Sequence, residues 1–296
     1  MITYAGLDGQ GLPRARANPT STVLVNLGCG GTWHPEWVNF DFRPAPPHVR
    51  ALDIRQRLPF ADQSVDAVLH SHVLEHLSHD QALGLARECL RVLKPGGVLR
   101  AVVPDLEAIA RRYLQSLEAV LKGGSRFEYD WAMIELYDQT VRQKQGGEMA
   151  TAIANATPQQ REYLESRIGS SWRSSGQLAR AYELFRASPT AFWATARHRL
   201  PNLGAATVDV VVRLTCGRRA LEQLRLGRFR MSGEIHLWMY DRFSLSSLVE
   251  EAGFSEVATA RPGESRIPGF ARFGLEIEKG TVRQPVSVFI EGVRKQ

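Results

Sequence analysis

The sequence predicts an α/β fold, a doubly wound and mostly parallel sheet of seven strands with a largely helical insertion after the fifth strand. Three observations carry that expectation. Short β-branched runs alternate with turns, carboxylates and a helical pattern over residues 23–103. That rhythm breaks off after Pro104, and it resumes near Asp241.

The run at 23–27 is apolar and ends in Gly28-Cys29-Gly30-Gly31, as a buried strand meeting a tight turn would. Residues 37–41 form a second strand that closes on Asp41, and 49–54 a third with Asp53 near its end. Residues 65–70 are the fourth strand. Leu83, Ala86, Leu90 and Leu93 recur at helical spacing within 81–93, and Lys94-Pro95-Gly96-Gly97 stops that helix before a fifth strand at 98–103. From 105 to 232 the patterns are helical, with strand character only at 207–214. A helix over 241–252, with Leu245, Leu248, Val249 and Ala252 on one face, stops at Gly253. Strands at 254–259 and 286–291 close the sheet. The expected organisation is a loose leader at 1–20, a core made of 21–105 and 235–296, and an inserted segment at 106–234.

A chain of 296 residues with 44% apolar and 23% charged residues supports a sizeable core. No stretch approaches the roughly 20 apolar residues of a membrane span, and the leader lacks the apolar centre of a secretory signal. A cytoplasmic location is therefore expected. Cys29, Cys89 and Cys216 are too scattered for a disulfide framework or a zinc knuckle. The net charge of +6 is concentrated: residues 161–230 hold 13 Arg against five acids, which leaves −2 for the rest.

Ligands of open α/β sheets bind beyond the carboxyl ends of the strands, where the strand order reverses. Gly28, Cys29 and Gly30 form a turn whose small residues let a ligand approach the backbone amides. Asp41 is placed to accept both hydroxyls of a ribose, and Asp53 to accept from an exocyclic amine such as that of adenine. Together they describe an adenosine-containing ligand. A dinucleotide fingerprint would need glycine or alanine where this chain has Trp33.

The motifs at 26–30, 58–68, 72–76 and 91–97, taken in order, resemble the class I S-adenosylmethionine-dependent methyltransferases, and within them the methyltransferase-11-like group. The likeness is strong over 22–105 and resumes at 238–241 and 251–254. It implies a Rossmann-like core, S-adenosyl-L-methionine as cofactor, and methyl transfer as the reaction. Carried over, Gly28, Cys29 and Gly30 face the methionine part of the cofactor, Asp41 and Phe42 its ribose, Asp53 and Ile54 its adenine, and Ser71 lines the methionine side. Two departures stand out. Asn26, also expected among the cofactor-binding residues, replaces the usual acid at the end of the first strand and so weakens the contact with the cofactor's ammonium group, and the gap from Gly30 to Asp41 leaves little room for a crossover helix. That spacing resembles a subgroup associated with polysaccharide biosynthesis, which implies O-methylation of a sugar or polysaccharide precursor. A lipid-linked or small aromatic hydroxyl, and a non-catalytic binding module, are the alternatives.

A hydroxyl acceptor needs a base, and histidine suits neutral pH. His236 precedes the helix at 241 and is the first candidate, set against a histidine merely packed beneath the inserted segment. His76 is the second, and Tyr240 a group to orient the acceptor. A metal-assisted variant is weighed on the histidines after the fourth strand, and no metal ligand is assigned. The arginines and aromatics of the insertion (Tyr163, Trp172, Tyr182, Phe185, Phe192, Trp193, Phe229) read as a solvated helical lid, then as an anion site, and only third as a nucleic-acid surface. The expected partner is a small-molecule or saccharide acceptor, with a homo-oligomer allowed.

Overall fold

The first strand, β1 (Leu24–Leu27), is buried at all four positions, and β2 (Val38–Asp41), β3 (Val49–Ala51), β4 (Val65–Ser71) and β5 (Leu93–Pro104) follow it in parallel. This is a computed structural model, which describes residues 22–169 and 203–296. The leader at 1–20 and the aromatics Trp172, Tyr182, Phe185, Phe192 and Trp193 lie outside the described residues. The chain divides into two compact units, Met1–Asp105 with Tyr240–Gly280 and Ser287–Gln296, and Leu106–Met239 with Thr281–Val286.

The first unit is built on a seven-stranded sheet in the order β3-β2-β1-β4-β5-β9-β6, completed by β6 (Ser255–Thr259) and β9 (Ser287–Val293), with the two-residue strands β7 (Ile277–Glu278) and β8 (Thr281–Val282) between them in the chain. β9 runs antiparallel to both its neighbours. The chain walks outward from β1 to β3 and then returns to β4 beside β1, so the order reverses between β1 and β4. A crevice at that reversal is where a ligand fits.

Two helices of this unit, α1 (His79–Val92) and the later Arg242–Glu251 helix, bury their apolar faces in one core with Val25, Leu27, Val68 and Leu99. Helix α1 opens on a capping box between Ser78 and Gln81, which satisfies end amides reciprocally. Its buried stripe is Ala82, Leu85, Ala86, Cys89 and Val92. Leu83 and Leu90, expected at its centre, are half-buried flanks, and Leu93 begins β5. The buried stripe thus lies one position earlier than the expected one, on Ala82, Cys89 and Val92 rather than Leu83, Leu90 and Leu93. Arg91 near the helix end ties down the preceding loop through Leu58 O, Phe60 O, Asp62 and Glu88.

The opposite face of the sheet carries no α-helix among the described residues of this unit. The β1–β2 and β2–β3 connections are turns. Leu24, Trp37, Ala67, Leu69 and Val102 are instead covered by Ile267, Phe270, Phe273 and Leu275 of the segment after β6. Arg100 fastens this covering segment. Its five N–H groups reach Glu276 (2.5 and 2.7 Å), Glu291 (2.9 Å), Glu264 O (2.8 Å) and Arg261 O (2.9 Å). Its guanidinium also lies over the rings of Phe270 and Phe289. Burial works against the Arg100 charge, but the Glu276 and Glu291 carboxylates outweigh it and hold the pKa above its ordinary value.

The second unit is helical, with α2 (Leu106–Leu121), α3 (Arg126–Val141), α4 (Gly147–Asn155), α5 (Pro158–Ile168) and α6 (Leu203–Arg230), so the Arg242–Glu251 helix is α7. Trp131, Ala156 and Leu164 form its core. Tyr163 is half-buried, and its hydroxyl accepts from Arg112. The strand expected at 207–214 is helix: this run of valines lies in the first arm of α6, which breaks at Gly217 (φ 85°). Asp209 then pairs with Arg225 and Arg228 of the second arm. Among the described residues no strand pairs with this run, and the β-branched residues follow the helix. No helix among the described residues is long and apolar enough to cross a membrane.

Candidate functional site

The reversal point is shaped first by glycine. Gly28 follows β1 with φ 65°, and a Cβ there would lie 2.4 Å from Val73 Cγ2. Gly30 also has positive φ (52°), but a Cβ there meets nothing within 4 Å, so it borders open space. The turn between them is held by Cys29 N–H donating to Phe40 O (3.0 Å) and Thr32 N–H donating to Cys29 O (2.8 Å). The Cys29 thiol is pushed up to about 12 by burial and by the nearby Asp41 charge, so it stays protonated.

Asp41, at the end of β2, accepts from Gly30 N–H (2.8 Å) and from Arg43 N–H (2.8 Å), one bond on each carboxylate oxygen. Each oxygen keeps a further lone pair for a ligand hydroxyl. The turn glycines and Asp41 are therefore brought together. Asp53 is not at a strand end as expected, because β3 stops at Ala51. It sits in the following turn, where Arg55 engages both its oxygens at 2.8 Å. That Arg55 bond holds the Asp53 carboxyl below its ordinary range. An amine of the ligand must share Asp53 with Arg55. Ile54 packs against the core, Ser71 is half-buried at the end of β4, and Phe42 is 72% exposed.

Asn26 stands apart from this cradle. It is 2% exposed, and its Nδ2 donates to Thr32 O (3.1 Å) and Asn39 Oδ1 (3.3 Å). Asn39 Nδ2 in turn donates to Trp37 O and His34 O. This amide ladder ties the helix-free β1–β2 connection to the sheet, and the departure from the usual acid has a structural reason here. An acid at Asn26 would lack the N–H groups this ladder uses.

Beyond β4 a 3₁₀ turn (Leu74–His76) brings several titratable groups together. Glu75 is fully buried, and His72 Nδ1 lies 3.3 Å from its Oε1. His70 is also fully buried, with neither ring nitrogen hydrogen-bonded, and burial lowers its pKa to about 4 against a smaller opposing pull from Glu75. Tyr240 begins where the chain re-enters this unit, bridged to Asp105. Its phenol is raised to about 12 by burial and then by the Glu75 charge, and its hydroxyl has no hydrogen-bond partner. It is a donor at neutral pH and cannot serve as a base. His76 is half-buried.

His236 belongs to the helical unit. Its N–H donates to Gln139 O (2.9 Å), and its Nε2 lies 3.1 Å from the Gln139 side-chain nitrogen. Glu234, two residues earlier, accepts from Arg142 and from Gly146 N–H. The segment is thereby pinned to α3 and the start of α4. His236 lines an open cavity of about 400 Å³ with Thr140, Arg230, Leu237, Trp238 and Met239. Arg100, Asn39 and Val73 were not singled out by the sequence patterns: Arg100 and Val73 act through residues distant in the chain, and Asn39 through backbone carbonyls of a turn that no side-chain pattern marks.

Residues 34–101 match the family model described as "Methyltransferase domain", a stretch that contains Asp41, Asp53 and the turn after β4. A protein of Mycolicibacterium smegmatis, "Probable S-adenosylmethionine-dependent methyltransferase", is 47% identical over 66 residues, which are 20% of this chain and 25% of that protein. The chain thus matches about a quarter of the length of this curated relative. Among solved structures, the apo methyltransferase SibL is 13% identical with a TM-score of 0.35, covering 94% of this chain and 52% of that one. A SAM-dependent methyltransferase from Archaeoglobus fulgidus is 11% identical with a TM-score of 0.35, covering 93% and 86%. With its sheet order and its glycine turn, the core of this chain is similar, over the matched residues 34–101, to the S-adenosylmethionine-dependent methyltransferases.

Proposed function

We propose that this protein transfers the methyl group of S-adenosylmethionine to a hydroxyl on a sugar or polysaccharide precursor. One observation carries the cofactor half of the reading. Gly28 is packed so closely on Val73 that no side chain fits, while Gly30 opens on free space with Asp41 capping its N–H. Such a cradle admits a ligand to the backbone and offers a carboxylate to its hydroxyls. The bound cofactor supplies an activated methyl group, and the protein's part is alignment and exclusion of water.

The acceptor half rests on the cavity of the helical unit. Trp238, 49% exposed, offers a flat apolar face to the C–H groups of a sugar, and Arg230 a cation for an anionic substituent. His236 is the proposed base, its ring oriented by Gln139. His76 is the second choice, and Tyr240 the donor that orients the acceptor. The combined test is calorimetry with S-adenosylmethionine, followed by transfer of its labelled methyl group to fractionated cell extract. Heat and labelled saccharide support the reading. No heat, or heat only with a nicotinamide dinucleotide, overturns it.

A further inference from the structure

The sheet edge beyond β4 holds an arrangement to which the proposed methyl transfer gives no part. Ser287 opens β9 opposite Pro104, the last residue of β5. Its Oγ lies 3.0 Å from His72 Nε2, and His72 Nδ1 lies 3.3 Å from Glu75 Oε1. A serine oxygen, the two nitrogens of one imidazole and a carboxylate thus stand in a row. That order activates a hydroxyl as a nucleophile, whatever the fold that carries it. Burial is graded along the row: the Glu75 side chain is 0% exposed, that of His72 25%, and Ser287 is partly exposed. The carboxylate is therefore shielded where its pull on the ring is strongest, and the hydroxyl end is within reach of solvent. The backbone is committed to this placement. His72 has φ 56°, a left-handed conformation that a residue with a side chain adopts at a cost. Its N–H donates to Val102 O at 2.8 Å, which holds the turn in place.

We propose that Ser287, His72 and Glu75 form a nucleophilic site that cleaves esters or thioesters of short acyl groups. Ser287 Oγ attacks the acyl carbonyl as its proton passes to His72 Nε2. The bond to the leaving group breaks, and the departing alcohol or thiol takes that proton from His72. The acyl group is left as an ester on Ser287. Water then attacks this ester, losing a proton to His72 Nε2, which returns it to Ser287 as the carboxylic acid is released. Glu75 acts as a positioning residue, standing beside His72 Nδ1 and orienting the ring.

The full chain is tested with p-nitrophenyl acetate and with a fluorophosphonate probe, in the absence of S-adenosylmethionine, so the outcome is independent of methyl transfer. The expected result is one adduct per chain mapped to Ser287, with hydrolysis at least about tenfold above that of Ser287→Ala. His72→Gln lowers the acylation rate by about 10²-fold or more, the usual contribution of a positioned base. Glu75→Gln lowers kcat with KM nearly unchanged, and Glu75→Asp restores part of it. Because Glu75 is buried, Ser287→Ala and His72→Gln carry the decision, each checked by thermal melting. A folded wild type that takes no adduct at Ser287, or a Ser287→Ala variant as active as wild type, overturns the proposal.

Discussion

Arg100 Nε sits 2.5 Å from Glu276 Oε1, in an ion pair whose side chains are 0% and 4% exposed. The pair joins the middle of β5 to the segment that covers one face of the sheet. Removing the cation leaves Glu276 and Glu291 as buried carboxylates facing each other's charge. Arg100→Ala is therefore expected to destabilise the fold by about 3–5 kcal/mol, the usual cost of stranding a buried partner. Urea unfolding measures it, and Arg100→Met with Glu276→Gln and Glu291→Gln together should recover much of the loss.

The two turn glycines separate steric need from ligand access. Gly28→Ala brings a Cβ against Val73 as well as a left-handed strain, so both stability and cofactor binding should fall. Gly30→Ala meets no neighbour and carries only the strain of about 1–2 kcal/mol. Thermal melts paired with calorimetry on the two variants check this contrast.

His70 gives the fold an acid limb. Burial lowers its pKa in the folded protein to about 4 from the ordinary histidine value of 6.5, so the folded state binds this proton later than the unfolded chain does. Above pH 6.5 both states are neutral and the stability is intact. As pH falls from 6.5 to 4 the unfolded chain takes up the proton first, and about 3 kcal/mol is lost. Urea unfolding at pH 7 and pH 4.5 should show the loss, and His70→Leu should flatten it.

Tyr240→Phe tests orientation without disturbing the fold. The phenol has no hydrogen-bond partner to lose, so the melting temperature should hardly move. If the hydroxyl orients the acceptor, methyl transfer should fall about tenfold, the weight of one hydrogen bond of roughly 1.4 kcal/mol. An unchanged transfer rate would remove Tyr240 from the mechanism.

For the base, His236→Gln should cost around 10²–10⁴ in transfer rate with cofactor affinity nearly intact. The same substitution at His76 should cost far less. Labelled transfer rates for both variants, alongside calorimetry, decide between them.

What could be read in advance follows the range of the interactions. The strand at 24–27 and its glycine turn are local patterns, as is the helix capped by Asp241, and all stand where the sequence places them. The run at 207–214 misled because valine propensity was weighed alone, whereas among the described residues no strand pairs with it and it continues a helix. Asp53 was read as a strand end, but its pairing two residues on with Arg55 belongs to a turn. The Arg100 cluster was illegible, since its partners lie 161 to 191 residues away and an isolated arginine in a strand carries no signal of burial. The row of Ser287, His72 and Glu75 was hidden for the same reason, with the serine 215 positions from the histidine.

The substitution of a late covering segment for early crossover helices has a consequence for how the chain reaches its fold. Trp37, Leu24 and Leu69 cannot be shielded until Ile267, Phe270 and Phe273 have been synthesised. Strands β1 to β5 therefore leave the ribosome before the residues that cover this face, and the fold closes only when the last fifth of the chain returns to them. Such long-range closure is slow and exposes sticky surface while it waits. Production of this protein should depend on holding chaperones during synthesis more than on the stability it finally attains.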